Sequence, residues 1–227
     1  MDDATSTLYS AFLVEEEGTW SSFRAISEVI VGQGLFCSLY TDRGSHYFHT
    51  PKAGEPVSKT VLTQVGRALE QLGIRHIGAY SPEARGRSER MFGTLQDRPV
   101  RELADAGVTT IEDANRFIAE RYLPAHNRSF AGEASEAGTA FMPWTRGDLD
   151  DILCQQEDRI VDHDNTVTFG RLKLQIEPNP TRRHFVKARV KVRRYADASI
   201  GIFYAPLCVG RYGADGKPMG TLDAKAA

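Results

Sequence analysis

The spacing of apolar residues changes once along this chain, and that change limits the fold more than any other feature. Up to about residue 131, apolar side chains recur mostly every three or four positions, in blocks separated by short β-branched runs. Beyond residue 150 they alternate with charged ones, as in VTFGRLKLQI (167–176) and FVKARVKVRRY (185–195). A period near 3.6 lines one face of a helix, and a period of two lines one face of a strand. The chain therefore reads as an α/β part over 1–131 and a small basic β part over 151–227. Between them, 132–150 loses both periods and gathers Gly, Ala, Ser and Pro, which marks a linker.

Within the first part, TLYSAFLV (7–14) has the β-branched and aromatic content of a strand and stops at an acidic turn, 15–18. Trp20, Phe23, Ile26 and Ile30 then share a helical face that ends at Gly32 and Gly34. LFCSLY (35–40) is a short apolar run that delivers Asp42, within Thr41-Asp42-Arg43-Gly44, at its C-terminal end. Val61, Val65, Leu69 and Leu72 predict a helix over 57–72, and 74–79 predicts the next strand. A further helix starts near Gly86, turns Met91, Phe92 and Leu95 inward, and is expected to break at Pro99, where a ring in a helix interior costs about 3 kcal/mol. Thr109 and Glu112 have the spacing of a capping box for a helix through Tyr122. In the second part, Asp164-Asn165 and Asp215-Gly216 are the hairpin candidates.

Composition excludes several classes. The sequence has 227 residues, 41% hydrophobic and 26% charged, with no apolar run near the roughly 18 residues of a membrane span. The acidic start MDDATSTLYS lacks the basic and apolar regions of an export signal, so the expected location is cytoplasmic. Cys37, Cys154 and Cys208 lie far apart, without zinc or disulfide spacing, and read as small buried hydrophobes. The net charge of −2 decides nothing about nucleic acid, because the distribution of charge matters there. The six histidines are scattered and none is assigned to chemistry; His126 and Asn127 are read as ordering a helix end.

Two carboxylates fall where ligands gather in open α/β sheets. Asp42 ends a strand and Glu89 lies in the first turns of a helix, with a helix and a strand between them. Each has a purely local reading, as a turn aspartate or a helix-start glutamate. Together they form a hard-oxygen pair of the kind that suits Mg²⁺.

LYTDRGSHYF and SPEARGRSERMFGTLQDR resemble the second and third acidic motifs of the integrase-core transposases of bacterial insertion sequences, in the retroviral-integrase superfamily. The matching residues are Asp42 with Gly44, then Ser81, Pro82, Gly86 and Glu89, while RYLPAHNRSFA (121–131) is similar to the stretch that closes that core. The resemblance implies an RNase H-like integrase core, here incomplete at its N-terminus, followed by a small β-barrel-like domain. It implies DNA cleavage and strand transfer at transposon ends, with Mg²⁺ or Mn²⁺ held by an Asp-Asp-Glu set in which Asp42 and Glu89 are the second and third members. It also implies a homo-oligomer acting on DNA, both transposon ends and target.

The first aspartate of that set has no counterpart, and Asp2 and Asp3, at a terminus expected to be loose, are not its replacement. The expectation is a chain that is marginally stable and catalytically inert alone. A non-catalytic regulator that binds DNA or intact transposase is the alternative, with an RNase H-like nuclease outside transposition a third reading. Arg85, Arg87 and Arg90 flank Glu89 and are candidates to grip phosphate. Lys187, Arg189, Lys191 and Arg193 alternate with Ala188, Val190 and Val192, so a strand there would carry four cations on its DNA-binding face.

Overall fold

A computed structural model describes residues 1–50, 58, 60–79, 93, 95, 97–178 and 182–220. The chain divides into two compact units, Met1–Thr145 and Arg146–Ala227, each with its own core.

In the first unit, α1 (Thr19–Gly32) buries Phe23, Ile26 and Ile30, the face read from the sequence. Two short strands, β1 (Ser38–Thr41) and β2 (Arg75–Gly78), pair in parallel with Leu39 opposite His76 and Thr41 opposite Gly78. Between them lies α2 (Gln64–Leu72), shorter than the expected 57–72 because Thr63 caps it, its hydroxyl accepting from the Gly66 N–H at 3.1 Å. Val61 consequently falls outside the helix and is exposed, whereas Val65, Leu69 and Leu72 are buried. Residues 97–105 form α3, which Pro99 does not end. The Asp97–Arg101 and Arg98–Glu102 ion pairs, each one helical turn long, span the proline and support the turn that lacks its N–H. The next helix is capped by Thr110, not Thr109, whose hydroxyl accepts from the Asp113 N–H at 3.1 Å.

That helix is continuous to residue 130 in three parts: α4 (Ile111–Phe117), a π turn (Ile118–Tyr122) and α5 (Leu123–Phe130). The Leu123 N–H reaches back five residues to the Ile118 carbonyl, which takes one extra residue into the turn just before Pro124, a residue with no N–H to donate.

The expected strand at 7–14 is not one. The segment is extended, but among the described residues it joins no sheet. Two asparagines stand in for a neighbouring strand. Asn127 accepts from the Leu8 N–H and donates to the Leu8 carbonyl, both at 2.9 Å. Asn115 does the same for Leu13 at 2.7 and 3.0 Å. The π turn makes this double clamp possible. Twelve residues along an ordinary α-helix leave two side chains about 120° apart, but with one residue absorbed the separation falls to about 20°. The rise over the eleven effective steps is about 16 Å, the span of five extended residues from Leu8 to Leu13.

The stretch read as linker is partly structured: Leu35 and Met142 exchange backbone hydrogen bonds at 2.7 and 2.9 Å, and Phe141 packs edge-on against Tyr9. The N-terminal turn is ordered rather than loose, since the Asp2 carboxylate accepts from the Thr5 N–H and hydroxyl.

The second unit holds a four-stranded antiparallel sheet, β3 (Gln155–Ile160), β6 (Arg189–Arg194), β7 (Ile200–Tyr204) and β8 (Leu207–Tyr212), in that order. A separate hairpin, β4 (Thr166–Phe169) with β5 (Leu172–Gln175), turns at Gly170. Val167, Leu174, Ile176, Phe185, Val190, Val192, Ile200 and Ile202 fill the core between them. No closed barrel forms among the described residues, which corrects that part of the expected fold. Strand β6 begins at Arg189, so Lys187 lies before it, at the left-handed φ of 62°. Cys154 is buried as expected, but Cys37 and Cys208 are exposed, the latter near the start of the edge strand β8.

Candidate functional site

Asp42 leaves the C-terminal end of β1, exposed, in the position expected of it. Its Oδ1 accepts from the Gly44 N–H at 2.9 Å, and the Gly44 carbonyl then accepts from Tyr47 and Phe48, closing a tight turn. A side-chain network props this turn against β2. The Thr41 hydroxyl donates to the Asp42 carbonyl at 2.9 Å, so it accepts from His76 Nε2, also at 2.9 Å. The Phe48 ring stacks on the His76 ring at 4.1 Å, and a side chain at position 78 would press on Phe48 at 3.2 Å, so Gly78 makes room for the stack. Burial lowers the His76 pKa to about 4, which keeps the imidazole neutral at physiological pH. His76 was given no part by the sequence; the cue lay in strand alignment, which sets it diagonal to Thr41.

Asp42 is a hard oxygen donor open to solvent, chemistry that fits Mg²⁺ or Mn²⁺. Among the described residues, no group of three or more His, Cys, Asp or Glu side chains could hold a metal ion. Glu89, Arg85, Arg87 and Arg90 lie outside the described residues, as do Ser81, Pro82 and Gly86. His126 orders a helix, but from within: it is buried in α5, with Nδ1 3.3 Å from the Tyr122 hydroxyl, and burial lowers its pKa.

In the second unit, Arg189, Lys191 and Arg193 share the face of β6 opposite Val190 and Val192. They are not free cations. Asp158 on β3 sits opposite Lys191 and binds both Arg189, at 2.8 Å, and Lys191, at 3.1 Å. Those hydrogen bonds, that of Lys191 foremost, hold the Asp158 carboxyl below its usual range. Arg193 pairs with Asp151 at 2.7 Å and lies over the Phe203 ring, 4.0 Å from its centre. Gly201 leaves the space that ring occupies, for a Cβ there would meet Phe203 at 2.7 Å. The expected four-cation face is thus three cations set against two carboxylates, Arg189 and Lys191 sharing Asp158 and Arg193 taking Asp151. The missed signal was QQEDRI, which places Asp158 at the right alternation to face a basic strand.

No family model matches the chain. Over 204 residues it is 31% identical to "Putative transposase y4bF" of Sinorhizobium fredii, a match covering 89% of this chain and 44% of that protein. Over 169 residues it is 25% identical to the transposase for insertion sequence IS1202 of Streptococcus pneumoniae, covering 74% of this chain and 36% of that one. The chain is thus similar to two transposases, one of them named for an insertion sequence. It spans less than half the length of these curated relatives. No helix among the described residues is long and apolar enough to cross a membrane.

Proposed function

We propose that the chain carries part of a transposase catalytic core, RNase H-like in fold, that cuts and joins DNA at transposon ends as a homo-oligomer. The supporting observation is the breadth of the similarity to a transposase: the alignment runs over 204 residues at 31% identity and covers 89% of the chain, so its span takes in the positions of both Asp42 and Glu89. In this reading Asp42 and Glu89 would hold Mg²⁺ or Mn²⁺, which when bound activates the attacking hydroxyl and supports in-line displacement at phosphorus. The chain's own contribution is placement. Gly44 holds one carboxylate oxygen of Asp42, and the neutral His76, through Thr41, fixes the backbone from which that carboxylate projects. Arg85, Arg87 and Arg90 would bind the phosphates beside the reacting bond.

Two of the three carboxylates of the superfamily pattern are assigned in this chain, so metal affinity is the fitting assay. Titration with Mn²⁺, followed by electron paramagnetic resonance, is expected to show one site weakened by Asp42→Asn and by Glu89→Gln. Loss of a partner outside the ligand set costs about 10–100-fold, so loss of a direct ligand is expected to cost at least about tenfold. Affinity unchanged in both variants refutes the site.

A further inference from the structure

With Arg189, Lys191 and Arg193 of β6 set against Asp158 and Asp151, a cluster of positive charge in the second unit lies just before that strand. We infer that the turn at 182–187, rather than the β6 face, is where this unit meets the phosphate backbone of DNA, an inference that rests on the transposase reading above.

The turn is built rigidly from both sides. The Phe185 N–H donates to Asn165 Oδ1 at 2.6 Å, while Asn165 Nδ2 donates to the Ile176 carbonyl at 2.6 Å. The Ala188 N–H closes back on the Phe185 carbonyl at 2.8 Å, and the Lys187 N–H donates to the Val161 carbonyl at 2.9 Å. Phe185 is sunk in the core, so the turn cannot drift.

Three cations ride on this frame. The Arg182 guanidinium lies 5.4 Å from the centre of the Phe185 ring and 5.1 Å from that of Tyr204, an arrangement that holds the planar group in place. Arg183 and Lys187 are exposed, and neither makes an ion pair among the described residues. Lys187 also occupies a left-handed position, where Gly or Asn is the comfortable residue. The Ala188-to-Phe185 hydrogen bond makes Lys187 the third residue of a tight turn, which sets that conformation and fixes where its side chain leaves the backbone. Arg189 and Lys191, by contrast, would have to surrender Asp158 before meeting a phosphate.

This separates a structural role from a binding one in a single substitution. Lys187→Gly removes the charge while relieving the backbone, so the thermal midpoint is expected to hold or rise while DNA binding falls. The assay is fluorescence anisotropy of the full chain with a labelled DNA duplex across a salt series. A cation that no longer neutralises its phosphate lowers the salt slope by about 0.9, which near physiological salt is about a fivefold fall in affinity. Lys187→Gly and Arg183→Gln are each expected to show that fall. Arg189→Gln combined with Asp158→Asn removes one of the two cations that share Asp158 together with that carboxylate, leaves the net charge unchanged with Lys191 in place, and is expected to leave affinity and slope within about twofold of the parent. If the parent binds with a salt-dependent affinity and Lys187→Gly and Arg183→Gln bind equally well, the turn is wrong and the DNA reading stands. A larger fall in the Arg189/Asp158 double variant returns the DNA interface to β6. If the parent shows no salt-dependent binding, the DNA reading itself fails and takes the inference with it.

Discussion

Replacing Asn127 by alanine removes both hydrogen bonds that hold Leu8, and the environment of Leu8 sets the cost. Leu8 is 5% exposed, so its N–H and carbonyl, once released, have little access to water. A net hydrogen bond contributes about 1 kcal/mol, and a buried group left unsatisfied costs about 1–3 kcal/mol. Two such groups set a gross loss of about 3–4 kcal/mol, which alanine's better helix propensity offsets by about 0.5 kcal/mol. Asn115→Ala removes the matching pair at Leu13, but Leu13 is 44% exposed and water replaces the amide, so that loss stays below about 1 kcal/mol. Both tryptophans, Trp20 and Trp144, lie in the first unit, so fluorescence during urea unfolding reports on it directly. With an m-value of about 2 kcal/mol/M, Asn127→Ala should lower the midpoint by more than about 1 M and Asn115→Ala by less than about 0.5 M. Equal shifts in the two variants, or the larger one in Asn115→Ala, would refute the reasoning, because burial at the clamped residue would then not decide the cost.

Two more expectations test the first unit. Deleting Ala119 from the π turn converts the segment to ordinary α-helix and keeps Asn115 and Asn127 in phase only if Pro124 lets the helix close; the missing N–H prevents that, so the variant should lose more stability than Asn127→Ala. A deletion variant as stable as the parent would show that the extra residue carries nothing. The second concerns pH. His76 has a folded pKa near 4, below its unfolded value near 6.5, so between those values the unfolded chain binds the extra proton and stability falls as pH drops. Because part of the ring meets solvent, the loss is on the order of 1–2 kcal/mol. His76→Phe, which retains the stack on Phe48, should flatten that part of the stability profile; an unchanged slope in a pH series of urea melts would remove His76 from the account.

What could be read from the sequence was whatever depends on neighbours in the chain. The apolar face of α1, the burial of Val65, Leu69 and Leu72, and the arrival of Asp42 at a strand end all follow from local period and turn residues. The strand at 7–14 could not be checked that way, since a strand is a relation between segments, and its partners here are side chains of Asn115 and Asn127 more than a hundred positions away. Alternation alone likewise made a DNA-binding stripe of β6, because alternation locates charges on a face without showing which carboxylates the neighbouring strand lays opposite. Lys187 belonged to that alternation by count and leaves it by conformation. The same rule applies to the carboxylate at the centre of the proposed chemistry. Its position at a strand end was legible, but the groups that hold it there, Thr41, His76 and Phe48, come from two strands and a turn, and only the parallel register of β1 and β2 assembles them. A substitution at His76 or Gly78 is therefore expected to reach Asp42 without touching any residue of the motif that contains it.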